Sequence, residues 1–334
     1  MERLINDLLE RLESDTALNI FMRLDDPADL VRASAVSHSW RHFVITNGLS
    51  KHLCFKIFPQ LSETSHTIES NSETMDNVNV DSSKAIEMER DHVAYASLVE
   101  ALFRSKLSPR DCIADAISAS STDRYPDESI VNTLRPWSRS RGGSASYWSI
   151  KGQCDPDVSE TLTYKLNASI SIVSEINIRP FQDHPIGSAK YVRFRMGHLK
   201  SQNLQICHPD QNNIMWTYTS PRYPMKQENQ LQQFKLPEPV LCIGGFLQIE
   251  LSGMVQKADF DGLFYICICY VRVLGLPLKP AFDIDILNPS GNFLLKYYPD
   301  SVESLLGISS NYENSCERNA SSRSRCSRSV LGED

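Results

Sequence analysis

The chain has 334 residues, 41% of them hydrophobic and 22% charged, an ordinary globular composition that excludes a fibrous or wholly disordered protein and allows two domains at roughly 100–200 residues each. Its 34 Lys and Arg against 41 Asp and Glu leave a formal charge of −7, so no global field draws it to nucleic acid or to an anionic membrane. The opening MERLINDLLERLESD lacks the basic-then-apolar order of a secretory leader, and the longest apolar run, 263–278, is broken by Arg272 and Pro277, short of the roughly 18 residues of a membrane span. The nine cysteines are scattered with no C-x-x-C pair, a usage that fits reduced, buried thiols in the nucleus or cytoplasm rather than a disulfide scaffold or a zinc site.

The first zone, up to about Phe58, has helical periodicity. Ala17, Ile20, Phe21 and Leu24 recur at i, i+3, i+4 and i+7, one stripe of a helix that Ser14 or Asp15 can cap. Asp26-Pro27 starts a second helix, with proline at the first helical position where its missing N–H costs nothing. Ser37 caps a third, whose stripe is Trp40, Phe43 and Val44.

Residues 59–90 are rich in Ser, Thr, Asn and acids and read as a disordered linker, because so little apolar surface cannot offset the ordering entropy. Residues 91–145 read as a helical connector: Tyr95, Leu98, Val99 and Leu102 form an apolar stripe, and Ser108-Pro109-Arg110-Asp111 has the form of another helix start. From 146 to 298 the period falls from 3.6 to 2. Ile172, Ile176 and Ile178 are assigned to one face and Val173, Glu175, Asn177 and Arg179 to the other. Val192, Phe194 and Met196 form a second inward set, and Leu247, Ile249 and Leu251 a third. Segment 263–274 is apolar on both faces, as a covered central strand is, and Phe282–Ile286 with Phe293–Tyr297 makes a hairpin around Asn288-Pro289-Ser290-Gly291. Short alternating strands without interleaved helices predict an antiparallel sandwich or jelly roll. Residues 299–334, rich in Ser and Arg, read as a disordered tail. The fold class is thus α+β and multidomain.

Chemistry-bearing motifs are missing from the sequence. No glycine-rich phosphate loop and no G-x-S-x-G elbow occurs, and His38 and His42 have zincin spacing without the glutamate that would serve as base. No cofactor, no metal ligand and no catalytic residue is assigned.

The string DDPADLVRASAVSHSWRHFV, preceded by Ile20 and Leu24, resembles the F-box: Ile-x-x-x-Leu, then Asp29-Leu30, then Val36 ahead of Trp40, then Phe43. The usual opening Leu-Pro is absent. The resemblance covers 13–58 and implies a three-helix domain that docks on the Skp-type adaptor of cullin-RING ubiquitin ligases, with Leu24, Pro27, Leu30, Val36 and Trp40 at or beneath the interface. A private three-helix core would account for part of that list equally well. Ser146-Tyr147-Trp148-Ser149 with Gly152, the segment 160–166 and the string 188–197 resemble the galactose-binding-like jelly rolls, including the Doc subunit of the anaphase-promoting complex. The whole chain resembles plant F-box proteins that carry such a carboxy-terminal domain.

These resemblances imply a non-catalytic substrate-recognition subunit of an SCF-type E3 ligase, with a protein target of unstated identity. The rival expectation is a lectin-like, carbohydrate-binding protein with a secondary F-box. Folds of this kind bind on loops at one end, which brings forward segments 148–156, 181–188 and 197–224 and, within them, Trp148, Phe181, His184, Trp216 and Tyr218. Trp148 and Trp216 are equally open to being core anchors. Tyr191, Arg193 and Arg195 form a row on the strand face away from the core and read as a solvated sheet face.

Overall fold

The computed structural model describes residues 8–69, 80–136, 146–181, 188–200, 213–288 and 292–306. The helical domain has five helices where periodicity predicts three: α1 (Leu8–Arg11), α2 (Ser14–Phe21), α3 (Pro27–Ser34), α4 (His38–Thr46) and α5 (Leu49–Ile57). The second and third starts are as expected. Asp26 accepts from the Ala28 N–H at 2.8 Å with Pro27 following it, and Ser37 Oγ accepts from the Trp40 N–H at 3.2 Å. The first is not, because α2 already begins at Ser14 and the cap position falls on Glu13, whose side chain makes no capping bond. α5 enters from Gly48, held at φ +59, a left-handed conformation that costs glycine little. The bundle core is Phe21, Leu30, Ala33, Val44, Leu49 and Leu53.

The expected linker is largely structured. A 3-10 turn over Pro59–Glu63 leads into strand β1 (Thr64–Glu69), and helix α6 runs from Val80 to Leu107. Composition hides α6 because residues 84–87 are exposed and 89–92 meet the helical domain through polar side chains, whereas Ala94, Tyr95, Leu98, Val99 and Leu102 are buried. The predicted helix start at Ser108-Pro109-Arg110-Asp111 is instead β2 (Arg110–Asp111), followed by β3 (Ile113–Ala119). The sheet domain therefore begins well before residue 146.

The remaining strands are β4 (Trp148–Ser149), β5 (Glu160–Leu166), β6 (Ile170–Pro180), β7 (Ala189–Leu199), β8 (Ile214–Thr219), β9 (Tyr223–Pro224), β10 (Gln232–Ile243), β11 (Phe246–Met254), β12 (Cys267–Pro277), β13 (Phe282–Ile286) and β14 (Phe293–Tyr297). One antiparallel sheet has the order β10-β6-β12-β2, with β4 also on β12. The other is β3-β5-β11-β7-β8, with β9 also on β7. The chain changes sheet at each step from β2 to β7 and again at each step from β9 to β12, which is a jelly-roll wind. Between the sheets lies the main core, including Leu162, Tyr164, Ile176, Ile178, Phe194, Leu247, Ile249 and Val271.

Strand β6 departs from strict alternation at a point that divides the two cores. Its register against β12 skips Ser174, so that Glu175 faces Leu274 and Val173 faces Gly275. Such a bulge flips every side chain beyond it. Ile172 consequently joins a second core, while Val173, assigned by periodicity to the opposite face, joins Ile176 and Ile178 in the first.

That second core unites the molecule. Cys54, Phe58 and Leu61 pack with Tyr95, Leu98 and Leu102 of α6, with Ile170, Ile172, Leu241 and Leu276 of the sandwich, and with Phe282, Phe293 and Leu295. The last three belong to a small sheet in which β1 runs parallel to β14 and β14 pairs with β13 as the predicted hairpin. Beyond it, part of the expected tail is ordered: helix α7 (Val302–Leu306) follows β14, and Leu305 is buried in the same core.

Candidate functional site

The helical domain presents apolar side chains that no other part of the described residues covers. Val31 is 59% and Val36 61% exposed, with Ile20 and Met22 also exposed, an arrangement that implies a partner. Leu24 and Pro27 are half-buried, each lining a shallow crevice on one side of Leu30. Leu30 itself is buried in the bundle core, and half-buried Trp40 tilts against Phe21 with ring centroids 5.2 Å apart. The five residues expected at the adaptor interface thus divide into exposed Val36, half-buried Leu24, Pro27 and Trp40, and buried Leu30.

α6 fixes this domain to the sandwich. Arg41 pairs with Glu89, Lys51 Nζ lies 3.4 Å from Asp91 Oδ2, and Ser50 bonds to His92. At the sandwich the contact falls on the Ile170 end of β6. The opposite end of that 11-residue strand, roughly 33 Å away at 3.3 Å for each step between residues, leads into Phe181.

The far end carries the first group of expected binding residues. Phe181 stacks on Tyr147, 4.1 Å between centroids and 15° between planes. The Tyr147 hydroxyl donates to Glu128 Oε1 at 3.2 Å, and burial, reinforced by that carboxylate, pushes the phenol up to about 12. Trp148 is corrected from binding residue to core anchor. It is wholly buried in β4, its indole N–H donating to the Ser121 carbonyl at 3.0 Å, so it offers a ligand no surface. His184 lies outside the described residues. Sequence reasoning missed Tyr125 and Phe260, each 80% exposed. It also missed Tyr265, whose hydroxyl donates to Asp261 Oδ2 at 2.6 Å; that bond, with burial and the charge of Asp123, pushes the phenol up to about 12. Asp-Phe-Asp-Gly at 259–262 was the available turn signal.

Trp216 and Tyr218 lie elsewhere, on β8 at the edge of the second sheet, both half-buried. Tyr218 packs against the main core next to Tyr223, whose ring meets Phe194 at 5.8 Å and Phe234 at 5.9 Å. On the outer face of that sheet the predicted solvated row is in fact paired. Glu250, 6% exposed, receives Arg193 at 2.7 and 2.8 Å and Arg195 at 2.6 Å. Among the described residues no group of His, Cys, Asp or Glu could hold a metal ion, and no helix is long and apolar enough to cross a membrane.

Residues 14–56 match the family model described as F-box-like. An F-box protein of Arabidopsis thaliana is 44% identical over 310 residues, which is 87% of this chain and 81% of that protein. The chain belongs to the F-box proteins. Among solved structures, a family 32 carbohydrate-binding module from Streptococcus pneumoniae EndoD aligns over 49% of this F-box protein and 98% of the module, at 9% identity and a TM-score of 0.33. The C-terminal domain of a chitobiase from Bacteroides fragilis aligns over 50% and 97%, at 12% identity and a TM-score of 0.33.

Proposed function

We propose that this F-box protein is the substrate-recognition subunit of an SCF-type E3 ubiquitin ligase. Its helical domain docks on a Skp-type adaptor through Val31, Val36, Leu24 and Pro27, and its sandwich holds a protein target. The observation that carries the reading is the exposure of Val31 and Val36 on a domain matched as F-box-like, since exposed apolar surface rimmed by polar residues is the kind that marks a protein-interaction site. The continuous core through α6 adds the mechanical element. With the helical domain locked to one end of the sandwich, a target held at the far end is presented at a fixed distance, and proximity raises the effective concentration of its lysines at the ubiquitin-loaded enzyme. No residue of this chain has to perform chemistry.

The test is affinity purification of the full chain from cells under proteasome inhibition, unaltered or carrying Val31→Glu with Val36→Glu. Loss of the adaptor from the variant, with proteins accumulating on it that the unaltered chain delivers to degradation, is the expected result. Undiminished adaptor recovery on the variant overturns the reading. So does saturable binding of the full chain on a glycan array with no proteasome-sensitive interactor, which would favour a lectin-like role.

A further inference from the structure

The sandwich has an open side where the edge strand of one sheet faces the edge strand of the other. On one lip are Tyr223, Pro224 and Lys226, on the other Gln232, Gln233 and Phe234, and the cleft between them is wider than either crevice beside Leu30. Its floor is aromatic, the rings of Tyr223 and Phe234 lying 5.9 Å apart. The Tyr223 hydroxyl is buried with no hydrogen-bond partner among the described residues, and an unsatisfied donor and acceptor costs free energy until something meets it.

Two further features indicate what fits. Among the described residues β10 has a neighbour strand on one side only, β6, so over 232–236 alternate N–H and C=O groups point outward with no strand partner among those residues. Pro237 and Pro239 then blunt the edge, confining strand addition to this stretch beside the cleft. The local chemistry already captures main chain, because the Gln232 amide receives the Lys226 N–H at 2.8 Å and donates to the Lys226 carbonyl at 2.7 Å. The rim carries three exposed cations, Arg222, Lys226 and Lys235, none in an ion pair among the described residues, and they stand among the carboxylates of Glu228, of Glu238 and of Glu175, which lies opposite Lys235 in the register.

We infer that this cleft binds an extended, acidic peptide segment, which adds as a short strand to the 232–236 edge of β10 and places carboxylates at Lys226 and Lys235. This goes beyond the ligase reading, because it assigns a peptide-binding surface at the side of the sandwich and needs no adaptor.

The experiment uses the full chain and a fluorescent synthetic peptide of about eight alternating Glu and Val residues, a strand's length, followed by anisotropy. Saturable binding is expected, weakened about tenfold or more by Lys226→Glu with Lys235→Glu, two exposed sites whose reversal leaves the fold intact. Hydrogen exchange should slow at the Gln233 and Lys235 region when the peptide binds. Absence of saturable binding at millimolar peptide, an affinity indifferent to the charge reversal, equal binding of an alternating Lys and Val peptide, or protection confined to other strands overturns the inference. Adaptor pull-down on the same preparations keeps the outcomes apart: adaptor binding without peptide binding sinks the cleft and spares the ligase reading, and the reverse result sinks only the latter.

Discussion

Ser50 of α5 and His92 of α6 share a hydrogen bond, 2.9 Å from Oγ to Nδ1, at the seam where the F-box meets the long helix. Burial holds His92 below the usual histidine range; Glu89 works against that shift and Arg41 with it. The folded chain therefore keeps the ring neutral at pH values where the unfolded chain takes up a proton. Between the lowered folded value and the ordinary value of about 6.5, the unfolded state binds more protons, so stability rises with pH across that window and is lost as pH falls through it. Melting temperature should drop between about pH 7.5 and pH 5.5, and His92→Gln should flatten that part of the profile. A slope unchanged in the variant would assign the effect to other groups.

Gly275 of β12 stands where β12 crosses the bulge in β6, and a Cβ at that position would fall on the Ile172 carbonyl oxygen. Neither backbone can yield without disturbing both cores, since Ile172 belongs to one and Val173 to the other. Gly275→Ala should destabilise the chain by about 1–3 kcal/mol, the usual cost of overpacking a well-filled site, read as a lower urea midpoint. An unchanged midpoint would mean that the bulge relaxes freely.

The same bulge marks where the sequence stops being legible. Helical spacing located α2 and α4, the Asp26-Pro27 start located α3, and period 2 located β6, β7 and β11, because in each the signal lies in neighbours along one element. Where burial depends on a distant partner the pattern is silent. β1 is polar in sequence and exists through parallel pairing with β14, more than 200 residues away. α6 begins in a serine-rich, acidic stretch and is held by the few apolar residues of its second half. For the site, the F-box spacing singled out Leu24, Pro27, Leu30, Val36 and Trp40 together but could not say that Leu30 is buried and Val36 exposed, since that difference is set by how the helices pack on one another. Trp148 and Phe181 illustrate the same limit at the far end, where one aromatic is an anchor and the other lies half-buried against Tyr147.

Glu250 carries both Arg193 and Arg195 on the outer face of the second sheet while itself almost wholly buried. Glu250→Gln preserves shape but turns an N–H₂ toward guanidinium groups that need acceptors. The loss should be about 1.5–3 kcal/mol, the range for hydrogen bonds to charged groups, and toward its lower end because the arginine side chains are still 25% and 29% exposed. Chemical denaturation checks it, and an unaltered midpoint would return the row to the solvated face that alternation alone suggests.

Cys54 tests whether the F-box and the sandwich unfold as one body. It lies in α5, fully buried in the core shared by α6, the sandwich and the small sheet, and burial pushes its thiol up. Cys242 is equally buried within the sandwich core, its thiol pushed up to about 12 by burial, whereas Cys154 is exposed. A brief pulse of iodoacetamide should therefore label Cys154 at once and leave Cys54 and Cys242 untouched, because the reactive species is the accessible thiolate. The informative experiment adds urea. If the helical domain swung on α6 as an independent unit, Cys54 would become reactive at concentrations where Cys242 remains protected, the signature of a separate cooperative unit. The continuous core predicts the opposite, with the two thiols becoming reactive over the same urea range. Early reactivity of Cys54 would remove the fixed geometry on which presentation of a target at the far end depends.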